Sequence, residues 1–217
     1  MTLSLQSTVR YAYVGDDIIL LDIRANRYFA VPPAKRACFR RMLAQTKLSS
    51  SDQDELRIYV ECGIVVEGNV KRPDRPPCND DLEVLTLQET RPTANFVVHA
   101  ILGRQRSRVE LKFRPLWRVL SGIERSKERC SGNGSVEALH RVASGFQGIS
   151  GLFGRHDQCL PLSIAIVREC LRNGLSAKMV LGVQTNPFNA HAWVQFGNIL
   201  LIDDPNFVKD FTPILAV

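Results

Sequence analysis

The chain has 217 residues, 45% of them hydrophobic and 23% charged, and carries a net charge of +6. That balance excludes a disordered chain, and the length suffices for one large domain or two small ones, each with its own core. The longest apolar run, seven residues over 96–102 that include His99, falls far short of the ~20 needed to span a bilayer.

The first six residues, Met1-Thr2-Leu3-Ser4-Leu5-Gln6, lack the basic start and apolar core of a signal peptide, so a cytoplasmic protein is expected. Six cysteines, at 38, 62, 78, 130, 159 and 170, show neither C-x-x-C spacing nor zinc-type pairing with histidine, and no metal is expected. In a reducing cytosol most should be buried thiols. Nine lysines and arginines over 104–129 oppose three glutamates, so this stretch holds the whole net charge. It reads either as a solvated basic face or as a dock for an anion: a nucleotide, an acidic peptide or a partner. It lacks the interleaved aromatics of a nucleic-acid surface, so no nucleic-acid partner is expected.

In chain order, strands are predicted over 9–14, 18–23 and 27–31. Gly15-Asp16-Asp17 and Arg24-Ala25-Asn26 separate them at hairpin spacing, which implies a three-stranded meander. Pro32-Pro33 ends the third strand and leads into a helix over 34–44. A second helix over 52–62 takes its cap from Ser49-Ser50-Ser51 and its stop from Gly63, and 64–67 is extended. Residues 68–81 hold three prolines and little to bury. The expected organisation is therefore α+β: a first domain over 1–70, a linker over 71–81 and a second domain over 82–217.

The second domain opens with helices predicted over 93–106, 114–128 and 135–148, then a glycine-rich approach over 145–154. A helix over 160–172 follows, with Pro161 in its first turn and Asn173-Gly174 as its stop. Cys159 therefore stands at a helix N-terminus, where the macrodipole and free N–H groups favour thiolate and can hold an oxyanion. Strands are predicted over 176–183, 189–196 and 199–204, the last two joined at Gly197-Asn198.

A thiol on a helix packed against strands bearing His191 and then an aspartate is the arrangement that nucleophilic catalysis requires. The imidazole takes the thiol proton, and the carboxylate orients the ring and stabilises its cation. His156 is a rival base, though a poor one, three residues ahead of the thiol. Gln158 could support the oxyanion hole, and Trp193 either shields the site from water or is simply core. The aspartate is ambiguous by geometry alone. A strict two-residue turn at Gly197-Asn198 places Asp204 opposite His191, whereas a longer loop or a bulge places Asp203 there.

Asp157-Gln158-Cys159-Leu160, Asn173-Gly174-Leu175-Ser176-Ala177, 182–188, His191-Ala192-Trp193-Val194 and Asp203-Asp204-Pro205-Asn206 together resemble the lasso-peptide B proteins. These are microcin-type leader peptidases of the transglutaminase-like, papain-like cysteine-protease superfamily, which serve antibiotic biosynthesis. The resemblance implies a triad of Cys159, His191 and Asp203, with a bulge expected in the last hairpin. The first half likewise resembles a small winged-helix-like leader-recognition domain, similar to the carrier protein of pyrroloquinoline quinone biosynthesis. That implies leader binding by β-augmentation beside residues 27–31 and against the helix over 52–62. Tyr28, Phe29 and Tyr59 are the candidate pocket residues.

The implied partners are a precursor peptide, bound through its leader, and an asparagine-synthetase-like macrolactam synthetase. No covalently bound cofactor is implied. The resemblance does imply dependence on ATP, yet the sequence has no G-x-x-x-x-G-K-[ST] loop, and 148–154 lacks the lysine. Two other functions share these residues: an acyltransferase using the same triad, and a leader-binding adaptor without catalysis.

Overall fold

A computed structural model of the chain describes residues 2–70, 82–85, 94–150 and 159–217. The chain divides into two compact units, Met1–Arg75 and Pro76–Val217. Both mix helices and strands, which gives an α+β protein. The predicted linker over 71–81 lies outside the described residues.

The first unit begins with β1 (Leu3–Leu5), followed by β2 (Val9–Val14), β3 (Asp17–Asp22) and β4 (Arg27–Ala30). The last three form an antiparallel sheet in the order β2-β3-β4. Val14 pairs with Asp17 across a two-residue turn, and Gly15 there adopts a φ of +57°, which its lack of a side chain permits. Ile18, Ile19, Leu20 and Leu21 are all buried because β3 is the central strand, covered on both faces. After a 3-10 turn at Pro33–Lys35, α1 (Arg36–Leu43) and α2 (Ser50–Glu61) pack on this sheet.

Ser49 caps α2 in a reciprocal capping box with Asp52. Asp52 is buried and also ion-pairs with Arg41, which pulls its carboxyl well below the usual range. The strand β5 (Val65–Glu67) returns to pair antiparallel with β1. Sequence patterning missed β1, whose three residues are too few to show alternation.

In the second unit, four helices, α3 (Ala94–Phe113), α4 (Leu116–Glu128), α5 (Val136–Ser150) and α6 (Cys159–Arg172), stand with a five-stranded sheet. The strands are β6 (Glu83–Val84), β7 (Lys178–Gln184), β8 (Asn189–Phe196), β9 (Ile199–Leu200) and β10 (Thr212–Ala216), and a short helix α7 (Pro205–Val208) precedes the last. The sheet order is β10-β7-β8-β9-β6, antiparallel except for β6 beside β9. The central helix is α6: it packs on α3, α4, α5, β7 and β8. Accordingly it buries residues around its whole circumference, from Pro161 through Ile164, Ile166 and Val167 to Leu171. None of the helices formed by the described residues is long and apolar enough to cross a membrane.

The predicted strand over 199–204 needs correction, and so does the bulge. Phe196 pairs with Ile199 and Gln195 with Leu200, a strict two-residue hairpin with Gly197 at a φ of +62°. Regular pairing then stops at Leu200, and one further bond, from Leu201 N to Val194 O, precedes an irregular turn. The paired aspartates lie in that turn and at the start of α7, free of strand alternation.

Candidate active site

Cys159 is the first residue of α6, and its position follows from that helix being the core of the unit. Ser163, one turn further on the same face, donates a 2.9 Å hydrogen bond to the carbonyl of Ala192, neighbour of His191. This buried bond ties the helix bearing the thiol to the strand bearing the imidazole. Sequence reading passed over Ser163; its spacing of four residues from Cys159 was the available signal.

Asp203 accepts a 2.9 Å hydrogen bond from Nε2 of His191. That occupies one ring nitrogen and leaves Nδ1 as the one that can face the thiol, with which His191 also hydrogen-bonds. Asp204 has a different task. It is the N-cap of α7 and accepts from the backbone N–H of Asn206 at 2.9 Å, with Pro205 in the first turn. Of the two aspartates, the one that meets His191 is Asp203, and the early end of β9 achieves this without a bulge.

The electrostatics separate this cysteine from two others. Burial works to push the Cys159 thiol up, but the hydrogen bond and positive charge of His191, with the N–H groups of Ala192 and Leu160, outweigh it and bring the thiol below its ordinary value. Burial likewise opposes the charged form of His191. The Asp203 carboxylate and the Cys159 thiolate overcome that and push the imidazole up to about 9. Cys38 and Cys170, with no such partner, are raised by burial to about 11 and about 12.

Three aromatic rings enclose the imidazole. Trp193 stacks at 6.1 Å and 16°, Phe207 meets it edge-on at 5.1 Å, and Phe211 is tilted at 5.4 Å. Such rings exclude water and favour an imidazolium through their π faces. Trp193 is also fully buried and donates from Nε1 to Gln195 Oε1 at 3.1 Å. The close fit needs Gly182 opposite: a Cβ there would lie 2.6 Å from the indole. Phe207 and Phe211 were not foreseen, although their spacing of four residues just after Asp203-Asp204-Pro205 was the signal.

Gln158 and the rival base His156 lie outside the described residues, as do residues 151–154 of the glycine-rich stretch. Tyr28, Phe29 and Tyr59 belong to the first unit. Phe29 and Tyr59 are half-buried against its core, and Tyr59 meets Phe39 edge-on at 4.7 Å. Tyr28 pairs with Leu21 on β4, an edge strand of the three-stranded sheet. Among the described residues, no group of three or more His, Cys, Asp or Glu is placed to hold a metal ion.

A family model described as the transglutaminase-like superfamily matches residues 98–216, which include Cys159, His191 and Asp203. The microcin J25-processing protein McjB of Escherichia coli is 36% identical over 85 residues. That stretch is 38% of this chain and 40% of the length of that protein. No solved structure matches. These two matches bear out the resemblance to lasso-peptide B proteins. The chain belongs to the transglutaminase-like superfamily.

Proposed function

We propose that this protein is a cysteine peptidase that removes the leader from a precursor peptide in lasso-peptide maturation. The observation that carries the reading is the thiol of Cys159, held below its ordinary pKa beside an imidazole that Asp203 grips from the other nitrogen. The likeness to a microcin-processing protein supports the substrate class.

In this mechanism the Cys159 thiolate attacks the scissile carbonyl, and the backbone N–H groups at the start of α6 hold the developing oxyanion. Protonated His191 gives its proton to the departing amine as the C–N bond breaks, leaving a thioester on Cys159. His191 then accepts a proton from water, whose oxygen attacks the thioester. The leader leaves as a carboxylic acid, and thiolate and imidazolium are restored. Asp203 keeps the ring in place and its cation stable throughout. The freed amine of the core peptide is the group that an asparagine-synthetase-like partner would condense with a side-chain carboxylate.

The first unit is read as the leader-recognition module, winged-helix-like, with the leader pairing along the edge of β4 and lying against α2. Tyr28, Phe29 and Tyr59 would then shape its side-chain pockets. Holding the leader there raises its concentration at Cys159.

The test is purified protein with a candidate precursor, with and without ATP and the synthetase, resolved by mass spectrometry. Wild type should yield a leader acid and a free core amine. Cys159→Ala should bind the leader with unchanged affinity and cut nothing. Equal cleavage by both proteins sinks the reading, and a product carrying a new amide in place of the acid makes the enzyme an acyltransferase.

A further inference from the structure

The geometry points to a second ligand site in the C-terminal unit: a cavity of about 480 Å³ that takes a small molecule bearing several phosphates. It lies where one face each of α3, α4 and α6 converge. Arg106 and Glu110 line it from α3, with Arg114 just beyond that helix. From α4 come Arg118 and Arg125, with Arg129 at its C-cap; Arg168 and Arg172 come from α6.

Seven arginines therefore surround one glutamate. Arg168 and Arg114 share that carboxylate, at 2.7 and 3.4 Å, and Arg172 pairs with Glu169 at 2.7 Å. No carboxylate among the described residues forms an ion pair with Arg106, Arg118, Arg125 or Arg129. Arg118 instead lies over the Trp117 ring at 5.1 Å, and Arg125 donates from Nε to the carbonyl of Ser121 at 3.2 Å. Like charges facing one cavity repel one another, and a multivalent anion turns that repulsion into attraction.

The shape and chemistry narrow the class of anion. Guanidinium forks match phosphate oxygens in bidentate fashion, so a cluster of arginines rather than lysines suits phosphate. On α4 the small residues Gly122 and Ser126 lie between the arginines on the same face and leave room for a ligand. A volume of this size fits a small molecule rather than a peptide or nucleic-acid strand. The lining includes no aromatic ring, so it reads the phosphate chain and not a base. Arg168 is nine residues beyond Cys159, about 14 Å along the axis of α6 at ~1.5 Å per residue. The ligand thus joins three helices without touching the thiol, and the inference does not depend on the proposed cleavage.

Titration calorimetry and thermal melting of the full chain test it, with sodium tripolyphosphate, ATP, adenosine and hexaglutamate as separate probes. Tripolyphosphate and ATP should bind within about three-fold of each other, and adenosine should not bind, because the phosphates are what is recognised. Both phosphate compounds should raise the melting temperature, and their affinity should fall as salt rises from about 50 to about 300 mM. The exposed double variant Arg118→Gln/Arg125→Gln should keep wild-type circular dichroism and Cys159 alkylation while losing about ten-fold or more in affinity for tripolyphosphate. Absence of tripolyphosphate binding overturns the proposal. So does unchanged affinity in a folded double variant, or adenosine or hexaglutamate binding as tightly as tripolyphosphate.

Discussion

Each unit of the molecule places a cysteine in the first turn of a helix, and the two thiols end in opposite states. Cys38, third residue of α1, is buried and donates to the carbonyl of Lys35 at 3.0 Å. Burial, and after it Glu55, raises its pKa to about 11. Cys159 opens α6 and is pulled down by His191 against the effect of burial. A helix start alone therefore does not activate a thiol. What decides is whether the neighbouring titratable group is a carboxylate or an imidazole that is itself held charged.

The largest effect that could break this comparison comes from deleting each thiol. Cys159→Ala should lower cleavage by on the order of 10⁴ or more, as for other triad nucleophiles. Cys38→Ala should leave it within about two-fold, since Cys38 packs in the core of the first unit; quantified product by mass spectrometry reads both. Next come the aspartates. Asp203→Asn should reduce kcat/KM by about 10²-fold or more by releasing the imidazole, while Asp204→Ala, which loses only the cap of α7, should stay near wild type. An inactive Asp204→Ala beside an active Asp203→Asn would reverse the assignment.

The pH dependence sharpens the same contrast. Alkylation of Cys159 by iodoacetamide should persist at pH values below those where an ordinary thiol reacts, and in Asp203→Asn the profile should move upward. For His191 the folded pKa is raised, to about 9. Its contribution to stability is therefore complete below the ordinary imidazole value and is lost as pH rises through about 9. Unfolding of wild type and His191→Gln across that range checks the sign: the gap between them should narrow as pH increases.

Two smaller effects concern packing and capping. Gly182→Ala drives a methyl group into Trp193, whose ring stacks on His191, and should cost about 1–3 kcal/mol with a loss of activity that accompanies it. Ser49→Ala removes half of the α2 capping box and should cost about 1 kcal/mol, leaving Cys159 alkylation untouched. Chemical denaturation with parallel alkylation rates distinguishes the two.

Much of the architecture was legible in the residues. The meander of the first unit appeared at 9–14, 18–23 and 27–31 because turn residues and short runs rich in aliphatic and aromatic residues alternate there at hairpin spacing. The observed strands begin and end within one residue of those bounds. Helix α6 was equally visible from Pro161 and Asn173-Gly174. The strands β1, β6 and β10 were not. The first two are too short to show a period, and β10 contains Pro213 with a register shift beside it, which patterning reads as a break.

At the site, Cys159 and His191 could be picked out because a helix start and a strand position constrain where a side chain can go. Local rules, capping and alternation, place these two residues, whereas their chemistry comes from each other and from Asp203. The aspartate was another matter, because alternation past Gly197-Asn198 allowed either Asp203 or Asp204, depending on the turn, and only resemblance chose Asp203. Its place depends on where β9 lets go of β8, and there Val208 of α7 and Phe211 just beyond it pack with Val180, Trp193 and Leu200 in one buried cluster. The aromatic enclosure of His191 and the arginine-lined cavity share that origin. Each is assembled from residues far apart in sequence, and burial of a common core, which no local pattern encodes, brings them together.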